Sequence, residues 1–226
     1  MKLILQQLPN VKFTGEIRTP YLSQEAAFSL VLVERDTGGL TYIDMWRDAV
    51  SSLVRRRTNI NIPLPGYDPH NYGISVTLDI KASLKPKKLS YGDLIKNLER
   101  HDWFCKRRDA PECNYTDPGG SQFNYLGKDH GRYLARANLD EKTWSMPSEL
   151  YIWERYNDYF HLDTADVQQL LSNIGIYKGK ISGERDNYTR EAIMAFQRAW
   201  ELIQSGAPDM TLCRVLSFVT AELKIL

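Results

Sequence analysis

Thiols and imidazoles are the side chains here best suited to holding a metal or attacking a substrate. The chain has few of them: Cys105, Cys113 and Cys213, with His70, His101, His130 and His161. His101 and Cys105 are spaced i,i+4, which would put both on one face of a helix. The onward spacings to Cys113 and His130 match no zinc-finger pattern, so these four are not expected to form a structural metal site. Three cysteines are too few, and odd in number, for a disulfide framework. Cys105 and Cys113 share one loop-like stretch and could pair, but free or buried thiols are the expectation. The neighbouring basic run Lys106-Arg107-Arg108 reads as a solvated loop.

Composition narrows the class. A hydrophobic fraction of 42% and a charged fraction of 25% suit a globular protein able to build a core. The formal charge of +1 gives no electrostatic footprint for nucleic acid. Lys2 is followed by only three apolar residues, Leu3 to Leu5, where a secretory signal needs about 7–15. No apolar run approaches the roughly 18 residues of a membrane span. The expectation is a chain with no signal peptide and no membrane insertion.

The elements that must position any site follow from periodicity. Residues 1–20 alternate weakly and predict a short strand. Ser23 can cap a helix that runs through apolar positions from Ala26 to Val33 and stops at Gly38-Gly39. Residues 40–46 (LTYIDMW) predict a strand, and RDAVSSLVRRRT a helix. Ile74, Val76, Leu78 and Ile80 alternate with Ser75, Thr77 and Asp79, as in a half-buried strand. A helix starts near Ser90 and runs to the WF pair, Trp103-Phe104. Residues 106–147 read as one long polar loop, and SELYIWERYNDYF as strand or helix. Beyond Thr164 come three helices: one with Asp166 as cap candidate and Gly175 as stop, one carrying Ala192, Ile193, Ala195, Phe196 and Ala199 on one side, and one from Thr211 to the last residue. The predicted class is α+β, with domains 1–160 and 161–226.

The three-helix stretch resembles the peptidoglycan-binding domain of cell-wall hydrolases. That family runs V-x-x-L-Q-x-x-L-x-x-L-G-Y-Y-x-G-x-x-D-G-x-F-G-x-x-T-x-x-A-V-x-x-F-Q. Leu171, Gly175, Tyr177, Gly179, Gly183, Thr189, Ala192, Ile193, Phe196 and Gln197 fall in register with it. The resemblance covers about 60 residues. Ser182 replaces the family's Asp before Gly, and Asp186 the last Gly of the turn, so those loops are expected to have lost contacts. The resemblance implies peptidoglycan as partner. Tyr177, Arg185, Tyr188, Gln197 and Trp200 are the expected binding face, because aromatics and amides suit muropeptides.

The stretch PGYDPHNYGISV is similar to zinc D-Ala-D-Ala carboxypeptidases and L-Ala-D-Glu endopeptidases, through Pro65, Gly66, His70, Asn71, Tyr72, Gly73 and Val76. That resemblance implies a His, Asp, His zinc site with a carboxylate as general base and an Arg holding substrate. Carried over position by position, His70 is the first ligand and Glu149 the base, with Arg47 the substrate arginine. Thr77 and Ile152 stand where the other two ligands belong. Neither can do that work, so a degenerate site is expected, with no cofactor. Asp79, two residues beyond Thr77, is the rescue ligand if zinc is bound. His130 and His161 are the alternatives for the third.

Together the two resemblances imply a peptidoglycan-binding protein built on a catalytically degenerate, zinc-peptidase-like pseudoenzyme. A bacteriophage setting is expected, as a virion structural protein or an endolysin-like one, reaching the wall by lysis or particle delivery. The alternatives are an active zinc peptidase cleaving stem peptides, and an assembly protein in contact with other virion proteins.

Overall fold

A computed structural model describes residues 1–16, 18–59, 62–86, 89–105, 121–139 and 147–226. The chain forms two compact units. One comprises 1–2, 48–68 and 155–222, and the other 3–47, 69–154 and 223–226. This division groups 48–68 with the C-terminal helices, where the sequence reading drew a single boundary at 160/161.

The second unit is built on two sheets. The strands β1 (Lys2–Gln7), β3 (Tyr21–Ser23) and β8 (Glu222–Ile225) form one, in the order β3-β1-β8. The other has five strands, β2 (Lys12–Phe13), β4 (Thr41–Asp44), β5 (Ser75–Leu78), β7 (Ser121–Tyr125) and β6 (Trp103–Cys105), ordered β2-β4-β5-β7-β6. In β4 and β5, which run antiparallel, Asp44 sits opposite Thr77. Helix α1 (Gln24–Thr37) buries Ala26, Ala27, Leu30 and Val33, the stripe its sequence predicts. Ser23 stands at its N-cap but makes no side-chain cap bond, and Gly38 ends it in the left-handed conformation. Helix α4 (Tyr91–Arg100) is capped by Ser90, as expected, through a bond from the Asp93 N–H.

Several expectations are overturned here. The predicted long strand stops at Leu78, because Asp79 turns the chain into the short helix α3 (Ile80–Leu84) by accepting from the Ala82 N–H. The α4 helix ends before Trp103, where β6 begins. The supposed long loop contains β7 and helix α5 (His130–Leu139), while residues 106–120 and 140–146 lie outside the described residues. The aromatic segment is the helix α6 (Pro147–Tyr156), followed by a 3-10 turn, Asn157–Phe160. Cys105 is disulfide-bonded, against the expectation of free thiols, and Cys113 lies outside the described residues. Cys213 is free, and burial pushes its thiol above the usual value, so it stays protonated and inert.

The first unit holds helix α2 (Ala49–Thr58) and the three C-terminal helices α7 (Thr164–Asn173), α8 (Asn187–Ala199) and α9 (Met210–Val219). Val167, Leu171, Ile193, Phe196, Leu212, Val215 and Leu216 form their common core. The predicted third helix stops at Val219 and gives way to β8. A module of this size buries little surface by itself. The 62–68 loop adds to it: the buried Arg214 of α9 donates to the Gly66 carbonyl at 2.6 Å and lies over the Tyr67 ring at 4.0 Å.

Candidate functional site

The C-terminal helices are set by three aspartates. Asp163 caps α7, accepting from the Asp166 N–H at 2.8 Å while its own N–H donates to the Asp166 carboxylate. This reciprocal capping box satisfies two helix-end donors, and it makes Asp166 the third helical residue, not the cap expected of it. Asp186 caps α8 by accepting from the Thr189 N–H and Asp209 caps α9 by accepting from the Leu212 N–H. The departure at Asp186 is thus the start of a helix. The Thr189 N–H and hydroxyl both donate to its carboxylate and hold it below the usual carboxyl value. Ser182 likewise serves its turn, accepting from the Glu184 N–H at 3.1 Å.

The polar groups nearest the core are spent on loop geometry. The Gln168 amide is fully buried; its oxygen accepts from the Ser182 and Gly183 N–H groups and its nitrogen donates to Thr189 and the Glu184 carbonyl. Gln197 does the same for the next loop. It is 1% exposed, accepts from the Gly206 N–H at 2.9 Å and donates to Ser205. The Tyr177 hydroxyl donates to the Lys180 carbonyl. Its ring lies so close to Gly179 that a Cβ there would come within 2.6 Å of it. Gly175, at φ 77, lets the chain leave α7 and enter this turn.

What remains open is a groove of about 480 Å³. One wall is the turn carrying Ile176, Tyr177, Lys178 and Gly179. The other is a single face of α8, with Tyr188, Glu191, Ala192 and Ala195 at i, i+3, i+4 and i+7. Tyr188 is 73% exposed, and the two alanines leave room beside it. Of the expected binding face, Tyr177 and Tyr188 meet in this groove. Arg185 is exposed in the turn before α8, outside the groove lining. Gln197 is a correction, since its amide is committed inside the fold. Trp200 is half-buried, its ring 6.0 Å from that of Phe196, so it extends the core more than it offers a surface. Lys178, Glu191 and Ala195 were missed. The i, i+3, i+7 spacing from Tyr188 was the signal for the last two.

Of the residues expected around zinc, His70, Thr77 and Arg47 are neighbours, the Arg47 N–H donating to the His70 carbonyl at 3.3 Å. His70, in the 3-10 turn Pro69–Tyr72, is 1% exposed and its Nε2 lies 3.1 Å from the Thr77 hydroxyl. Asp79 is committed to capping α3 through one oxygen and to the Thr14 hydroxyl, at 3.0 Å, through the other. Both carboxylate oxygens of Asp79 thus have protein donors. Arg47 is buried and ion-paired with the buried Asp44. Glu149 is half-buried in the first turn of α6, and Ile152 is fully buried in the same helix. His130 Nδ1 lies 3.0 Å from Asp102, His101 Nε2 3.0 Å from Asp36, and His161 Nε2 3.0 Å from Asn157. Among the described residues no three His, Cys, Asp or Glu side chains gather where they could hold a metal. An imidazole facing a hydroxyl makes a hydrogen bond, where a catalytic zinc needs three protein ligands.

Residues 161–216 match the family described as "Putative peptidoglycan binding domain". The match spans α7, α8 and most of α9, and so contains the whole groove. No curated protein matches the chain. No helix among the described residues is long and apolar enough to cross a membrane.

Proposed function

We propose that the chain attaches to peptidoglycan through the groove between the 176–179 turn and α8. The observation that carries this is the conjunction of the family match with the groove: the matched segment contains an open groove, and its exposed aromatic, Tyr188, lines it. Exposed aromatic rings beside small residues are suited to anchoring a ligand. The test is co-sedimentation of the full chain with purified sacculi. Wild type pellets; Tyr188→Ala lowers the affinity about tenfold, as expected for one anchoring ring. Ala195→Phe, which fills the groove from an exposed position, has the same effect. Failure of the wild-type chain to pellet would sink this reading.

We further propose that residues upstream of the module are a zinc-peptidase-like scaffold with no working metal site. The support is the His70–Thr77 pairing together with the capping role of Asp79. Zinc at one equivalent, with chelator-sensitive release of peptide from sacculi, would establish the active peptidase instead. Carriage by a phage particle rests on the sequence resemblance, and its test is detection of the chain in purified virions.

A further inference from the structure

We propose that the groove reads the stem peptide of peptidoglycan and not its sugars, with Lys178 on a peptide carboxylate and Glu191 on the peptide's free amino group. This deepens the wall-binding reading and rests on it.

The first argument is what the groove lacks. Sugar hydroxyls are read by side-chain amides, hydroxyls and carboxylates that have donors and acceptors to spare. In this module the buried amides and hydroxyls are occupied, which leaves the groove the Tyr188 hydroxyl and the Glu191 carboxylate. The Gln168 amide binds the 182–184 turn, the Gln197 amide binds the 205–206 turn, and the Tyr177 hydroxyl binds the Lys180 carbonyl. Thr189 donates to Asp186. Taking any of them for a ligand would undo a turn.

The second argument is what the groove offers. Its lining is mostly apolar: Ile176, the rings of Tyr177 and Tyr188, and the methyls of Ala192 and Ala195. Two charges stand on opposite walls, the Lys178 ammonium on the turn and the Glu191 carboxylate on the helix. Both are exposed, and neither forms an ion pair among the described residues. A stem peptide has the complementary inventory. It carries alanine methyls, flat amides that lie against rings, carboxylates, and one amino group at its diamino residue. The glycan carries no cation to satisfy Glu191.

The experiment uses the full chain and four probes: intact sacculi, glycan strands stripped of peptide by an amidase, the soluble stem tetrapeptide with a free amine, and sacculi whose amines have been acetylated. Wild type is expected to pellet with intact sacculi, to be displaced by the tetrapeptide, and not to pellet with stripped glycan. Lys178→Glu and Glu191→Lys each weaken sacculus binding about three- to tenfold, the range for one or two partly exposed charge contacts. Acetylation of the amines weakens wild type by a similar factor and removes the difference between wild type and Glu191→Gln. Both positions are exposed, so circular dichroism and melting should match wild type. Equal binding to stripped glycan and intact sacculi overturns the peptide assignment while leaving wall binding intact. Unchanged affinity in both charge variants overturns it too. No pelleting with any wall preparation fails the parent reading, and this one with it.

Discussion

The groove on α8 and the surroundings of His70 each carry a family-like motif, yet they end differently. In the module, the motif positions do what packing requires: Leu171, Ile193 and Phe196 fill a core, Gly175 and Gly179 make a turn, and a concave face is left over. Around His70, one of the positions that would converge on an ion meets the imidazole, and it carries a hydroxyl in place of a carboxylate. Asp79 starts a helix, Ile152 is buried in another, and Thr77 bonds the imidazole. A motif made of packing residues survives substitution of its polar members, because its logic is volume. A motif made of ligands is more demanding, because three donors must meet at one point.

The comparison can be broken most forcefully in the core. Phe196→Ala should destabilise the module by about 3–5 kcal/mol, seen by chemical denaturation, and abolish sacculus binding with it. Gln197→Ala should come next, about 1–3 kcal/mol, since it strands the Gly206 N–H in the interior. Sacculus affinity of the folded fraction should then stay unchanged. Full stability with lost binding would restore Gln197 to the binding face. On the other side, Asp79→Ala should cost about 1 kcal/mol, the worth of a helix cap, and leave zinc content unaltered. Loss of bound zinc in that variant would mean the carboxylate is a ligand after all.

The smallest effect is one of pH. Asp186 titrates below its unfolded value because Thr189 donates to it, so the unfolded chain binds the proton more readily. Its contribution is therefore fully present above about pH 4 and is lost as pH falls through the depressed folded value. Asp186→Asn keeps an acceptor at the cap but does not titrate. Melting curves of this variant should show a shallower loss of stability below about pH 4 than wild type.

Legibility in the sequence followed locality. The three C-terminal helices and the Gly175 stop could be read because their caps, periods and turn residues lie within a few positions of each other. The cap of α7 was misplaced from Asp163 to Asp166 because both are aspartates and each takes one half of the same box. The strands β6 and β7 were missed because each is short, and neither completes a hydrophobic period. Tyr177 and Tyr188, singled out as aromatics, both line the groove. The burial of Gln197 was not, since its partners lie eight and nine residues away across a turn whose path no local pattern specifies. His70 was legible as the head of a motif. Its pairing with Thr77 depends on how a 3-10 turn meets β5, which is a matter of tertiary geometry.

The bond from Arg214 to the Gly66 carbonyl spans 148 residues. Closing so long a loop is entropically costly, while the helices on either side of it need only neighbours. Helix formation in 161–216 should thus run ahead of the docking of 62–68, and the last contacts to form are the ones that seal Arg214. A fragment cut at residue 161 would keep the groove but leave that guanidinium without its lid of Gly66 and Tyr67. Excised for engineering, the module would call for a new cover over α9 before it could serve as a portable tag.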